Sequence, residues 1–167
     1  MSDTAITQLT LDGLREMFQQ AGYRVETLID PVANSAYLRS ATTGVAFDIR
    51  PGTRLASDGQ DFVDVAFVAV LQVQGELPLE LVNRWNATRR FARLQLSTPF
   101  LVLSLDVSLA GGVEPAHLRT QIEIWDHLVQ QLIGYLREEL PRLAPANSGT
   151  GLNGQLPAAE RAASSAV

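Results

Sequence analysis

The sequence contains no cysteine and no lysine among its 167 residues. Without cysteine there is no disulfide bond, and no site in which thiolates hold zinc or an iron–sulfur cluster. The longest apolar stretch, from Phe62 to Val73, is interrupted by Asp64 and Gln72. It therefore falls short of the roughly 20 apolar residues that a membrane-spanning helix needs. The polar N-terminus lacks the charged and apolar segments of a signal peptide. We predict a cytoplasmic protein without a membrane anchor.

Basic side chains are outnumbered by acidic ones, 13 against 18, which gives a formal net charge of −5 at pH 7. Nucleic-acid binding relies on a basic face that neutralises phosphates, so this balance argues against nucleic acid as a partner. The two histidines, His117 and His127, are ten residues apart on one predicted helix. That spacing is roughly 15 Å along the helix axis, too far for the pair to share a metal in a monomer.

Three carboxylates, those of Asp58, Asp61 and Asp64, could hold a hard cation around one predicted loop. Their spacing does not fit an EF-hand, and Asp58 with Gly59 forms an ordinary turn pair. We therefore predict no metal site and no cofactor. The pattern Gly-x-Gly-x-x-Gly at residues 149–154 has no strand before it, so we interpret it as accidental.

Composition changes near residue 144, after which alanine, serine, glycine, proline and asparagine dominate. Such a segment cannot bury enough apolar surface to offset the entropy that ordering costs. We predict one domain over residues 1–143 and a disordered tail over residues 144–167.

Hydrophobic periodicity predicts three helices, over about residues 10–21, 78–88 and 115–140, with Pro141 ending the last one. Between them lie extended segments at residues 23–29, 35–40, 45–51, 62–74, 91–97 and 100–109. Short turns between neighbouring strands indicate antiparallel pairing. The expected fold is α+β, with an antiparallel sheet of about five to six strands and the order α-βββ(β)-α-ββ-α.

The fourth strand is apolar on both of its faces, whereas a half-buried strand has one polar face. Its odd positions suit packing against helices, and its other face presents Phe62, Val68 and Val70. We predict that these three residues form a partner surface that closes a homodimer. A loop over residues 54–61, or a segment of a client protein, could cover them instead.

A polar and basic group surrounds the second helix: Asn83, Arg84, Arg89, Arg90 and Arg93. Arginines here could bind phosphate or an acidic partner, or they could interact favourably with the negative end of the helix dipole. Two asparagines, Asn83 and Asn86, bracket Trp85 in this short helix although asparagine is a poor helix former. Either Asn86 hydrogen-bonds a neighbouring strand while Trp85 fills the core, or the two amides form a binding surface.

Two segments of the second half, Asn83-Arg84-Trp85-Asn86 and Arg90-Phe91-Ala92, are followed by a strand pair, two glycines and a long helix. This arrangement resembles the YbjN domain family, bacterial proteins described as sensory transduction regulators. The resemblance implies a fold like that of type III secretion chaperones, which commonly dimerise, and it supplies no catalytic residues.

These observations favour a non-enzymatic protein-interaction module, a regulator or a chaperone-like binder whose partner is another protein or a peptide segment. The alternative is a small ligand-binding domain or enzyme with a pocket between the sheet and the helices. Such a pocket would be lined by Asp64, Arg90 and Asp106.

Overall fold

The structure is a computed structural model that describes residues 4–148, with side chains to residue 143. Its elements, in chain order, are α1 (Leu11–Gln20), β1 (Glu26–Asp30), β2 (Ser35–Thr42), β3 (Val45–Pro51), β4 (Asp64–Gln72), α2 (Leu79–Thr88), β5 (Arg93–Ser97), β6 (Phe100–Ser108) and α3 (Pro115–Ser148). The six strands form one antiparallel sheet in the order β1-β2-β3-β4-β6-β5. The predicted α+β class and element order are confirmed.

Helix α1 begins at a threonine cap. The Thr10 hydroxyl accepts a hydrogen bond from the backbone N–H of Gly13 at 3.1 Å, which satisfies one of the unpaired donors of the first turn. The helix ends before Gly22, whose φ of 91° is a conformation that glycine adopts without strain. Its apolar face buries Leu14 and Phe18.

One face of the sheet packs against α1 and α3 through aromatic rings. Phe18 from α1 lies 6.1 Å from Phe47 and 5.3 Å from Phe67, measured between ring centroids. Trp125 from α3 lies 5.5 Å and 6.0 Å from the same two strand residues. All four rings, with Trp85 from α2, are at most 2% exposed. Both tryptophans are therefore core residues.

The chain divides into two compact units, residues 1–131 and 132–167. The first contains α1, α2, the whole sheet and the N-terminal part of α3. Within the described residues, the second is the C-terminal part of α3. Every surface discussed below lies in the first unit.

Helix α3 continues to Ser148, so the prediction that Pro141 ends it is wrong. A proline inside a helix removes one backbone hydrogen bond and crowds the preceding turn, which bends a helix without always ending it. The good helix formers Arg142, Leu143, Ala144 and Ala146 follow. Residues 149–167, with the glycine pattern at 149–154, lie outside the described residues, and the division into a domain and a tail stays a prediction.

The β1–β2 turn is held by the carboxylate of Asp30. Its Oδ1 accepts backbone hydrogen bonds from Ala33 at 3.0 Å and Val32 at 2.9 Å, the geometry of an aspartate turn. Its Oδ2 accepts from Arg50 at 3.1 Å. The hydrogen bonds from Ala33 and Val32 lower the pKa of Asp30 below its ordinary value, and the one from Arg50 lowers it further.

Because the pKa of Asp30 is lower in the folded chain, its carboxylate adds stability above the ordinary pKa of an unfolded aspartate. That contribution is lost as the pH falls through the folded pKa. An NMR titration of the side-chain carbonyl is expected to give a midpoint below that of a model peptide, and Arg50→Gln to move it partway back. A midpoint at or above the peptide value would contradict the turn geometry.

Candidate functional site

The second face of the sheet, opposite the aromatic core, is called the outer face here. The register places Arg39, Asp48, Val68, Ser104 and Arg93 in one row across β2, β3, β4, β6 and β5. Side chains alternate between the two faces along a strand, so the residues two positions away share the outer face with this row. The outer face therefore has a charged part on β2 and β3 and an apolar part on β4 and β6.

The charged part is a closed cluster around Asp48, which is 8% exposed. Its carboxylate accepts from Arg39 Nε at 2.7 Å and from Arg50 at 3.0 Å. Arg50 also pairs with Asp30, and its guanidinium lies 4.2 Å above the ring of Tyr37. The hydrogen bond to Asp48 raises the pKa of Arg39 above its ordinary value, so this guanidinium stays charged at neutral pH. Two arginines and two aspartates leave the cluster without net charge.

Sequence reasoning missed this cluster. The alternation of β3 marks Asp48 and Arg50 as polar positions, but the alternation does not say which β2 residue lies opposite them. The tight Thr43-Gly44 turn supplies the missing register, because it pairs Thr42 with Val45 and thereby sets Arg39 opposite Asp48. A cross-strand pair of opposite charge is a signal that the sequence contains.

The apolar part, called the valine patch here, consists of Val68, Val70, Val102 and Phe100. Val70 of β4 lies directly opposite Val102 of β6. Val70 is 51% exposed and Phe100 is 42% exposed, whereas Val68 and Val102 are half-buried. The prediction placed Val68 and Val70 on this face of β4, and the register agrees.

Phe62 does not belong to the valine patch: it is 2% exposed, and its predicted place on a partner surface is wrong. The residue precedes β4 and pairs with Leu9, whose N–H and carbonyl exchange hydrogen bonds with it at 3.0 and 2.9 Å. Phe62 also forms an antiparallel β-bridge with Arg54. The chain bends before β4 begins at Asp64, so the alternation of that strand does not extend back to residue 62.

A pair of hydrogen bonds between the Asn86 side chain and the Leu94 backbone attaches α2 to β5. The Asn86 side chain donates to the carbonyl of Leu94 at 3.0 Å and accepts from the N–H of Leu94 at 2.9 Å. The amide thus serves as a strand partner for one residue, while Trp85 beside it is fully buried. This confirms the structural interpretation of Asn86. Asn83, one turn earlier, is exposed.

The predicted basic surface is divided among separate interactions. Arg84 is exposed and lies 3.9 Å from Glu80, one helical turn away. Arg89 stacks at 4.3 Å over the ring of Trp85. Arg93 pairs with Asp106 across β5 and β6. Arg90 is exposed, and its guanidinium forms no ion pair within residues 4–148.

Between α2 and β5 the chain reverses in a strained three-residue turn. The N–H of Ala92 donates to the carbonyl of Arg90 at 3.0 Å, and Phe91 between them has a φ of 76°. This combination is a γ-turn with positive φ at its centre, which is rare because it is strained. A bulky side chain in such a conformation costs about 1–3 kcal/mol. Phe91 is 68% exposed, so burial does not offset that cost.

A cleft of about 660 Å³ lies beside the β2–β3 hairpin and the end of α1. Two of its polar side chains form hydrogen bonds within the chain. Ser40 donates to the carbonyl of Arg24 at 2.7 Å, and Thr42 donates to Asp126. Burial raises the pKa of the Tyr23 phenol, and the charge of Asp126 raises it further against the hydrogen bond with Thr42. Tyr23 therefore stays protonated at neutral pH, and these groups stabilise the hairpin.

The three residues predicted to line the alternative pocket lie in different local environments: Asp64, Arg90 and Asp106. Asp64 accepts from the N–H of Thr53 at 3.0 Å, and a Cβ at Gly52 would lie 1.7 Å from its oxygen, so its carboxylate belongs to that turn. Asp106 is paired with Arg93. Among residues 4–148, no three histidine, aspartate or glutamate side chains are grouped so that they could hold a metal ion.

In the part of the chain that the structure describes, every helix is too short or too polar to span a bilayer. The family model described as "Putative bacterial sensory transduction regulator" matches residues 10–138. A crystal structure titled "YbjN, a putative transcription regulator from E. coli" is similar, with a TM-score of 0.58 and 16% sequence identity over 82% of this chain and 97% of that one. At that identity the likeness shows the fold alone. No curated protein matches. Because the family model matches most of this chain, the chain belongs to the YbjN family.

Proposed function

We propose that this protein is a non-enzymatic regulator of the bacterial cytoplasm that acts by binding other proteins, and that it does so as a homodimer joined through the outer face. The exposed valine patch is the observation that carries the proposal. A monomeric antiparallel sheet exposes a polar face to water, whereas Val70 and Phe100 are exposed on this one, where β4 ends and β6 begins. A contiguous apolar patch with a polar rim is typical of a protein-binding surface.

Charge favours a second copy of the chain as the occupant. The Asp48 cluster lies on one side of the valine patch and the Arg93–Asp106 pair on the other, and each is neutral in sum. Two copies can therefore approach face to face without the repulsion that a net charge of −5 creates elsewhere. A two-fold axis through the patch places each copy's valines against those of its partner.

The small-ligand alternative has less support. Two polar side chains of the cleft beside the β2–β3 hairpin, Ser40 and Thr42, are used in hydrogen bonds within the chain. A ligand would have to replace these bonds, whereas a partner on the valine patch removes apolar surface from water without that cost. A regulator that binds by this face is also consistent with the description of the family.

Val70→Glu tests the dimer. At micromolar concentration in sedimentation velocity, the wild-type chain is expected to sediment at twice its mass of 18.2 kDa. The substitution is expected to raise the dimer dissociation constant about 100-fold, because each glutamate occurs twice across the axis and loses its hydration there. The exposure of Val70 lets the monomer fold normally.

Val32→Glu is the matched control, since it makes the same chemical change at a residue that is 95% exposed in the β1–β2 turn. It is expected to leave the dimer unchanged. A wild-type chain that remains a monomer at the highest concentration, or a Val70→Glu chain that dimerises normally, would defeat the proposal.

A further inference from the structure

The γ-turn at Arg90-Phe91-Ala92 is needed to reverse the chain between α2 and β5, but the reversal does not require phenylalanine. Glycine adopts a φ of 76° without strain, and it is the usual residue where the backbone needs positive φ. Phe91 bears that strain while 68% of its surface remains in water. Neither the backbone nor the core therefore accounts for this side chain, and strain of this kind often occurs at functional sites.

Two arginines directly precede Phe91 in the chain. Arg90 precedes it, is exposed, and forms no ion pair within residues 4–148. Arg89 is held in place by stacking at 4.3 Å over Trp85. Arg90 thus places an exposed positive charge next to an exposed aromatic residue in the chain, although the net charge of the whole sequence is −5. This turn is consequently suited to a ligand that carries both negative charge and apolar surface.

We propose that Phe91 and Arg90 form a docking site for a short acidic segment of another protein, one in which carboxylates flank an apolar side chain. The ring of Phe91 supplies the apolar anchor, and the guanidinium of Arg90 supplies charge-assisted hydrogen bonds to a carboxylate. A nucleic acid is a poorer fit, because its backbone needs more cations than this turn presents and the rest of the chain repels it.

The docking site is separate from the dimer contact. Phe91 lies just before the first residue of the edge strand β5, whereas Phe100 of the valine patch lies opposite Ser97 at the other end of that strand. A partner segment can therefore bind at the turn of each copy while the valine patches pair. The site extends the proposed function, from self-association to capture of a partner, and it does not depend on the dimer being present.

The probe is a fluorescein-labelled synthetic peptide in which glutamate alternates with leucine and phenylalanine, measured by fluorescence anisotropy against the full chain. The same peptide with glutamine in place of glutamate is the ligand control. The acidic peptide is expected to bind and the glutamine peptide to bind weakly or not at all. Phe91→Gly is expected to weaken binding about 30-fold, as removal of a central aromatic anchor does. Arg90→Gln is expected to weaken it about 10-fold.

Thermal unfolding separates binding from folding. Phe91→Gly relieves the strained backbone, so its melting temperature is expected to equal or exceed that of the wild type. Thr43→Gly is the matched control, because Thr43 is exposed with a φ of 52°, and its replacement relaxes a backbone turn without altering the docking site. It is expected to bind the acidic peptide normally.

Three results would overturn the proposal. The first is failure of the acidic peptide to bind the wild-type chain. The second is normal binding by Phe91→Gly, or a lowered melting temperature for that variant, which would make Phe91 a structural residue. The third is tighter binding of a labelled single-stranded oligonucleotide than of the acidic peptide, with a loss on Phe91→Gly.

Discussion

Trp125→Ala is expected to lower the free energy of unfolding by about 3–5 kcal/mol, the usual cost of removing a large buried aromatic side chain. Trp125 is completely buried, and its ring contacts Phe47 and Phe67 from two different strands. Its removal leaves a cavity at the point where α3 meets the sheet. The remaining rings cannot close that cavity without leaving their own contacts.

Denaturation in guanidinium, followed by circular dichroism, measures the loss. Because the proposed dimer would make stability depend on protein concentration, the wild type and the variant are compared at one protein concentration in a Val70→Glu background. Val32→Ala serves as the control, since its side chain is 95% exposed, and it is expected to change stability by less than about 0.5 kcal/mol. A loss below about 1 kcal/mol for Trp125→Ala would mean that the aromatic contacts do not hold α3 on the sheet.

The second large effect concerns Asn86→Ala, which is expected to cost about 2 kcal/mol. The substitution removes both hydrogen bonds to Leu94 and leaves that residue's N–H and carbonyl to find other partners. Leu94 is a buried residue of β5, so water reaches its backbone poorly. The loss is expected despite the better helix propensity of alanine, which by itself favours the variant by about half a kcal/mol.

Asn83→Ala is a matched control, because it makes the same change on the same helix at a residue that takes no part in the two hydrogen bonds to Leu94. It is expected to leave stability unchanged or to raise it slightly. Asn86→Asp keeps the acceptor for the N–H of Leu94 but lacks the donor, so its stability is expected to lie between those of Asn86→Ala and the wild type. Equal stabilities for the two alanine variants would show that the amide of Asn86 contributes nothing.

The sequence contains enough periodicity to predict the element order and the orientation of β4. Alternation along that strand put Val68 and Val70 on one face, and the register confirms it because an alternation of period two follows directly from strand geometry. The same rule failed at Phe62, where the chain leaves the strand and pairs with Leu9. A bend depends on a contact from a distant part of the chain, and local pattern does not reveal it.

Two features of the candidate surfaces could not be predicted, for different reasons. The pairing of Arg39 with Asp48 depends on register, which a tight turn sets and periodicity does not. The strain at Phe91 depends on a φ that phenylalanine rarely adopts, so residue preferences point away from it. The Arg90-Phe91-Ala92 segment was recognisable as a family feature, yet its conformation became apparent only in three dimensions.

The two edge strands determine what kind of assembly the sheet avoids. β1 and β5 are five residues long, and they carry Glu26 and Asp30 on one edge and Arg93 on the other. Short, charged edges make a poor template for the addition of further strands, which is how sheets polymerise into fibres. Growth along the sheet is thereby discouraged, and the association that we propose across its face would end at two copies. The protein can thus expose an apolar patch for the proposed contact with a second copy without the open-ended aggregation that a long, uncharged edge would allow.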